Sequence, residues 1–212
     1  MDLYPFLIFL HVLGAVGIFA ATGIEVAAHR RLRRADTVER ALSETGILER
    51  PPAAAHLGMV AVLVTGIWMM VARWGPEPWM VTALIGIAVN IGLFLTLTRS
   101  ALRRLEAALS EVPREPGQAW RELLHEPALD LSLWLRLAVL VGIVGLMTLK
   151  PALLGSVILM ATAVVAGLIA GLRSGPPPAS NRRNPPPANR SARSDARAAT
   201  DVSRGGTEKE LR

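Results

Sequence analysis

The chain has 212 residues, of which 51% are hydrophobic and 5% aromatic, and its mean hydropathy of +0.39 is high for a soluble globular protein. The formal net charge of +6 is concentrated in residues 173–212, which carry nine Lys or Arg and four Asp or Glu, so the sequence pI of about 11.1 does not describe a basic folded domain. Because the chain has no cysteine, disulfides, thiolate metal sites, cysteine nucleophiles and cysteine-held iron–sulfur clusters are excluded.

Five apolar stretches of about twenty residues follow one another, from 3 to 28, 53 to 72, 79 to 98, 131 to 149 and 152 to 172. At a rise of about 1.5 Å per residue, each is long enough as a helix to cross a hydrocarbon core of about 30 Å. Lipid offers no partner to backbone N–H and C=O groups, so a spanning segment must be helical. The sequence therefore predicts an all-α polytopic membrane helix bundle, with five transmembrane helices in residues 1–172.

The basic residues predict the orientation of the bundle. Twenty of the twenty-three Lys and Arg residues lie in three segments, 29–52, 99–130 and 173–212. All three segments fall on the same side of a five-span topology, and cytoplasmic loops carry the excess of basic residues. We therefore expect the N-terminus outside and the C-terminus inside, in a multi-pass protein of the inner (cytoplasmic) membrane.

Some segments between the spans have helical patterns of their own. Residues 30–43 are expected to continue the first span as a helix, with Gly46 as its stop. Residues 99–110 are expected to extend the third span, and residues 118–126 to form a short helix on the membrane surface. The apolar face predicted within 99–110 consists of Leu102, Leu105 and Leu109.

Residues 173–212 are predicted to be a disordered tail, separate from the bundle. They contain two proline triplets, 176–178 and 185–187, and almost no large apolar residue. Burial therefore cannot offset the entropy cost of ordering them. Their positive charge is expected to hold the tail near the anionic lipids of the inner leaflet. No aromatic residue interleaves with these charges, so we expect no nucleic-acid binding.

His11 lies about eight residues into the first span, on the helix face that also carries Thr22 and Glu25. An ionisable residue inside a span is a functional-site hypothesis by default. Three interpretations are open: a hydrogen bond that packs the helix, ligation of a haem or metal, and proton transfer. His56 is excluded as a second ligand to the same iron, because the expected depths of the two histidines differ by roughly 15–20 Å in a core of about 30 Å.

Two further groups of polar residues lie in the predicted spans. Glu25 and Arg136 are expected at similar depths, which predicts an intramembrane ion pair; the alternative is that each side chain snorkels separately to the inner head groups. On the third span a polar stripe recurs every four residues and predicts helix packing with an interhelical hydrogen bond. This stripe consists of Thr82, Gly86 and Asn90.

The remaining histidines give weaker signals. His56 is interpreted as an interfacial residue at the mouth of the second span, and no role is assigned to His29 or His125. Neither a catalytic constellation nor a metal-binding motif stands out in the sequence.

Three stretches resemble a bacterial family of predicted integral membrane proteins of unknown function. They are Leu7 to Gly17 in the first span, Thr65 to Trp68 together with Pro78 and Trp79, and Leu146 to Pro151. The resemblance covers roughly residues 3 to 172 and implies a polytopic membrane protein without an assigned activity.

The histidine of the first span, followed by small residues, is also similar, more distantly, to copper-resistance-D-type membrane modules and to haem-containing membrane protoporphyrinogen oxidases. In those proteins a histidine of the first helix serves a metal or haem. The similarity implies haem b as the candidate cofactor and His11 as the candidate ligand.

Three classes of function follow from these observations. The interpretation we adopt is a non-enzymatic accessory or scaffold component of the membrane, which the small number of polar residues in the spans favours. The second is a haem- or metal-binding membrane oxidoreductase that uses His11. The third is a transporter or channel, for which five helices with few charges would need an oligomer. The expected partners are lipids, another membrane protein or a second copy of the chain.

Overall fold

The computed structural model describes residues 3–50, 52–111 and 123–174, and within them it is helical, with no strand. The predicted all-α fold class is therefore confirmed. The helices are α1 (Leu3–Leu32), α2 (Val38–Glu49), α3 (Ala53–Met69), α4 (Pro78–Leu93), α5 (Arg99–Glu111), α6 (Pro127–Leu149) and α7 (Leu153–Arg173). Two π-helical segments, Met70–Trp74 and Phe94–Thr98, extend α3 and join α4 to α5.

Five of the helical segments are long and apolar enough to cross a membrane. They contain α1, α3, α4, α6 and α7, so the predicted number of five candidate spans is confirmed. The surfaces of these helices are largely apolar, and side chains such as Phe9 and Leu154 are exposed. Such a surface requires lipid around it, so the described fold is that of a membrane protein.

The chain breaks after the first span where the sequence predicted a continuous helix. Residues 30–43 do not form one helix, because α1 ends at Leu32 and α2 begins at Val38. The hydroxyl of Thr37 accepts a hydrogen bond from the backbone N–H of Arg40 at 3.2 Å and caps the new helix. Gly46 was expected to stop the helix but lies inside α2, which continues to Glu49.

The helices α2 and α5 cover an apolar core at the end of the bundle where α1 ends and α6 begins. The predicted apolar face of α5 is confirmed, because its three leucines are buried there. This charged-end core contains Ala28, Leu32, Ala35, Ala41, Leu48, Ala101, Leu102, Leu105, Leu109, Leu124 and Leu129. It therefore joins α1, α2, α5 and α6 outside the central part of the bundle.

Glycines set two close helix contacts in the bundle. A Cβ atom on Gly14 of α1 would lie 2.8 Å from the carbonyl oxygen of Gly58 on α3. A Cβ atom on Gly167 of α7 would lie 2.7 Å from the Cβ of Ala138 on α6. Small residues let transmembrane backbones approach closely, so α1 packs on α3 and α7 packs on α6.

Two predictions lie mainly outside the described residues. All the described helices belong to one compact unit, Met1–Gly175. The predicted disordered tail lies beyond the described chain from residue 175 onward, and most of the short helix predicted over 118–126 falls between its described parts.

Candidate functional site

A cavity of about 840 Å³ lies between four helices of the bundle, with α1 and α3 on one side and α4 and α6 on the other. Its size is within the range of about 300–1,000 Å³ in which proteins hold small ligands. Most of its lining side chains are apolar, and they include five of the seven methionines of the chain. These are Met59, Met69, Met70, Met80 and Met147. Because the methionine side chain is flexible and polarisable, this lining can adapt to the shape of an apolar ligand.

The cavity extends along most of the membrane-spanning length of α1. The lining residues of this helix run from Tyr4 to Ala20. At a rise of about 1.5 Å per residue, that stretch is roughly 24 Å long, against a hydrocarbon core of about 30 Å. A ligand inside it would therefore lie at the depth of the lipid chains.

The imidazole of His11 is one of the few polar groups on the cavity wall. Its Nδ1 lies 2.9 Å from the hydroxyl oxygen of Thr65 on α3. The single hydroxyl proton of Thr65 is donated to the backbone carbonyl of Ala61. The same oxygen therefore accepts from the Nδ1–H of His11, which fixes the tautomer of a neutral imidazole.

The fixed tautomer leaves the Nε2 of His11 with a lone pair on a ring that lines the cavity. The hydrogen bond with Thr65 is made by Nδ1, the other ring nitrogen. Gly66 leaves room for the ring, because a Cβ atom there would lie 3.2 Å from the Cε1 of His11. A neutral imidazole nitrogen, oriented through a hydrogen bond from its other nitrogen, can accept a hydrogen bond from a ligand or bind a metal.

The other histidines do not join His11. His29 and His56 lie away from the cavity wall, and so does His125. Within the described part of the chain, no group of three or more His, Asp or Glu side chains could hold a metal ion. A haem iron in this cavity would therefore take a single histidine ligand. The lining methionines and Tyr4 are further side chains of types that ligate haem iron.

Aromatic side chains from three segments meet where α3 and α6 end. The indole Nε1 of Trp74 donates a hydrogen bond to the hydroxyl of Tyr4 at 3.0 Å. The rings of Trp74 and Trp79 pack edge to face, with centroids 6.2 Å apart. The ammonium of Lys150 lies 4.6 Å from the centroid of Trp74, and the guanidinium of Arg73 lies 4.9 Å from that of Tyr4. This aromatic end therefore carries two cations held over rings, of which Lys150 lines the cavity.

The structure brings Glu25 and Arg136 together near the opposite end of the bundle. Arg136 Nη1 donates to one carboxylate oxygen of Glu25 at 2.8 Å, and Nη2 lies 3.4 Å from the other. Glu25 is 4% exposed. The guanidinium also lies 4.8 Å from the ring centroid of Phe94, in the second π-helical segment. A paired and stacked guanidinium of this kind is the arrangement in which a charge is tolerated inside a membrane.

A second ionic cluster, which the sequence analysis did not predict, lies one turn further along α1. The Nε2 of His29 is 2.7 Å from a carboxylate oxygen of Asp130 on α6, and Arg33 Nη1 is 3.2 Å from the same oxygen. Arg33 also donates to the backbone carbonyl of Ser174 after α7. A partial signal in the sequence was the spacing of four residues from Glu25 to His29, which places these two on one face of α1, with Arg33 just after its end.

Two residues of the polar stripe of α4, Gly86 and Asn90, contact α6, and the third, Thr82, forms a hydrogen bond within α4. The side-chain amide of Asn90 donates to the backbone carbonyl of Arg136 at 2.9 Å, and Gly86 lies against Ile143 of α6. The hydroxyl of Thr82 donates to the carbonyl of Pro78 in its own helix. Asn90 therefore links α4 to the residue that forms the ion pair.

A family model described as "Predicted integral membrane protein (DUF2269)" matches residues 5–151. This is more than half of the chain, so the protein belongs to that family. The matched residues include the helices that line the cavity and end before α7 begins. No curated protein matches the chain, and no solved structure matches it.

Proposed function

We propose that this member of the DUF2269 family binds an apolar ligand of the lipid phase in the cavity between its helices. The proposal rests on one observation: a cavity of about 840 Å³ whose wall is built by four spanning helices and is mainly apolar. In this proposal the protein acts as an accessory or binding component of the inner membrane, with its N-terminus outside. It holds a ligand and does not itself carry out chemistry on it.

A cavity-filling variant tests this proposal. Ala15 lines the cavity, whereas Leu13 on the same helix is 52% exposed and does not. We expect wild-type protein, purified from membranes in mild detergent, to retain an apolar molecule near one per chain in extracts analysed by mass spectrometry. Ala15→Phe should reduce that amount about tenfold because the ring occupies the cavity, and the matched control Leu13→Phe should not. Equal retention by the two variants, or none by the wild type, would contradict the proposal.

A haem- or metal-binding oxidoreductase is the second candidate function. The observation that favours it is the tautomer of His11, which leaves Nε2 available on the cavity wall. The test is the visible absorption spectrum of protein expressed with haem available, as isolated and after reduction by dithionite. A near-stoichiometric Soret band that shifts on reduction, persists in His56→Ala and is absent in His11→Ala would support it. A featureless spectrum would remove haem from consideration and leave His11 as a contact to the ligand or to Thr65.

A transporter or channel is the weakest of the three classes. Only a few polar side chains lie on the cavity wall, among them His11, Asn90 and Lys150. Ion passage needs a continuous row of polar groups or water. An aqueous path would therefore have to form between copies of the chain, and cross-linking that shows only monomers in membranes would argue against it.

A further inference from the structure

We propose that the ligand of the cavity is an anionic lipid, with its phosphate or carboxylate head at the aromatic end and its apolar chain in the cavity. This inference rests on the proposed function and adds the chemical class of the ligand. It is carried by the positions of Lys150 and Arg73 and by the length of the cavity.

Lys150 combines an unusual backbone conformation with a side chain that lines the cavity. Lys150 follows α6 with φ 46° and ψ 52°, in the left-handed region that glycine usually occupies after a helix. L-residues with long side chains rarely adopt this conformation, and such residues concentrate at functional sites. The ammonium lies over the rings of Trp74 and Trp79, at 4.6 and 5.8 Å from their centroids, and the residue lines the cavity.

The aromatic end carries two cations, Lys150 and Arg73, against one described carboxylate, Glu77 before α4, which forms an ion pair with neither of them. All six ion pairs in the described residues involve α1, α2, α5 or α6 away from this end, and none includes Lys150 or Arg73. The two cations instead contact the rings of Trp74, Trp79 and Tyr4. An anionic head group at this end would supply a counter-charge to the unpaired cations, and Lys and Arg are the side chains that bind phosphate and carboxylate.

The depth of this end matches the position of a lipid head group. Tyr and Trp concentrate at the level of the lipid head groups, where one part of the ring is apolar and another is wet. From Tyr4 the cavity continues roughly 24 Å along α1, whereas the hydrocarbon of one leaflet is about 15 Å deep, half of a core of about 30 Å. A lipid with its head at Lys150 therefore has room for its chain inside the protein.

The cation of Lys150 also has a purely structural explanation that the test must separate from binding. A positive charge at the carboxyl end of α6 is favoured by the helix dipole. Lys150→Gly removes the ammonium and relieves the left-handed backbone, so this variant is expected to fold. Lys150→Arg keeps the charge, and Arg173→Gln removes one charge from an exposed residue at the far end of α7.

The experiment is native mass spectrometry of the full-length protein in micelles doped with phosphatidylglycerol or with phosphatidylcholine. We expect the wild type and Lys150→Arg to retain phosphatidylglycerol at least tenfold better than phosphatidylcholine. Lys150→Gly should reduce that preference about tenfold, Lys150→Gly with Arg73→Gln should abolish it, and Arg173→Gln should leave it unchanged.

Three results would overturn the inference. The first two are an unchanged preference for phosphatidylglycerol in Lys150→Gly and a loss of that preference in Arg173→Gln as large as in Lys150→Gly. The third is binding of inorganic phosphate as tight as that of the lipid, since the apolar chain would then contribute nothing. The inference can fail while the proposed function stands. This is the outcome if the wild type shows no preference for phosphatidylglycerol but still retains an apolar molecule that Ala15→Phe displaces. If the wild type retains no molecule at all, both fail.

Discussion

Glu25 and Arg136 place two charges inside the bundle, and their mutual contact offsets much of the cost of removing those charges from water. Removing one partner of a buried ion pair leaves the other charge unpaired, which destabilises a protein by about 3–5 kcal/mol, whereas replacing both partners with apolar residues is often nearly neutral. The contact at 2.8 Å, with the second oxygen at 3.4 Å, is of this kind.

We therefore expect Arg136→Met to lower the free energy of unfolding by about 3–5 kcal/mol, and Glu25→Met/Arg136→Met to be much milder than the sum of the single changes. The measurement is unfolding in mixed micelles followed by circular dichroism. Arg34→Met, at an exposed arginine, is the control and should change stability by no more than about 0.5 kcal/mol. A double variant as unstable as the sum of the singles would show that the two side chains act independently.

The contact between Glu25 and Arg136 could be anticipated from the sequence because the two ionisable residues lie at similar depths in two different spans, and their charges are opposite. The contact between His29 and Asp130 could not, because both residues lie just outside the predicted spans, where a charged side chain is normally solvated. The chain places them in a buried position only because α2 and α5 cover that end. Burial by neighbouring elements is a tertiary effect that the pattern of a single helix does not contain.

At the scale of helices, the crossing of α1 and α3 depends on the absence of side-chain atoms at Gly14. Overpacking a close contact of this kind typically costs about 1–3 kcal/mol. Gly23 on the same helix has no neighbouring atom within 4 Å of an added Cβ, so an alanine there gains helix propensity of up to about 1 kcal/mol.

We expect Gly14→Ala to lower the midpoint of thermal unfolding in detergent and Gly23→Ala to leave it unchanged or raise it. Both variants add one methyl group to α1, so the comparison isolates the contact with Gly58. Equal shifts in the two variants would mean that the backbones of α1 and α3 are not in close contact.

The spanning helices could be predicted because a stretch of twenty apolar residues in lipid must pair its own backbone N–H and C=O groups, which it does as a helix. The break between Leu32 and Val38 was missed because the apolar spacing of residues 30–43 fits a continuous helix, and the cap at Thr37 outweighs it. The π-helical segments have no signal in the sequence that we recognise. Both lie next to the polar clusters, since Trp74 contacts Lys150 and Phe94 contacts Arg136, and such segments are frequent at functional sites.

At the scale of the molecule, polar and apolar contacts are separated along the bundle. Ion pairs and the charged-end core join α1 to α6 at one end, whereas the cavity separates these helices over most of the remaining length. The cavity could not be predicted from the sequence, because each of its four walls is simply an apolar helix face. Its volume depends on how the four helices diverge, which no single span determines.

The proposed orientation can be tested directly because the chain has no native cysteine. Ser43 of α2 and Glu77 before α4 are both exposed and lie on opposite sides of the proposed topology. In intact cells, a membrane-impermeant maleimide should label Glu77→Cys and should label Ser43→Cys only after the membrane is opened. The reverse pattern would place the N-terminus inside.

Whether the cavity holds a ligand is tested by the native mass of the full-length protein released from mild detergent. We expect a species heavier than the polypeptide by one apolar molecule in the wild type and in Leu13→Phe, and only the bare polypeptide in Ala15→Phe. A bare polypeptide in all three, from protein taken out of its own membrane, would contradict the claim that the cavity holds a ligand.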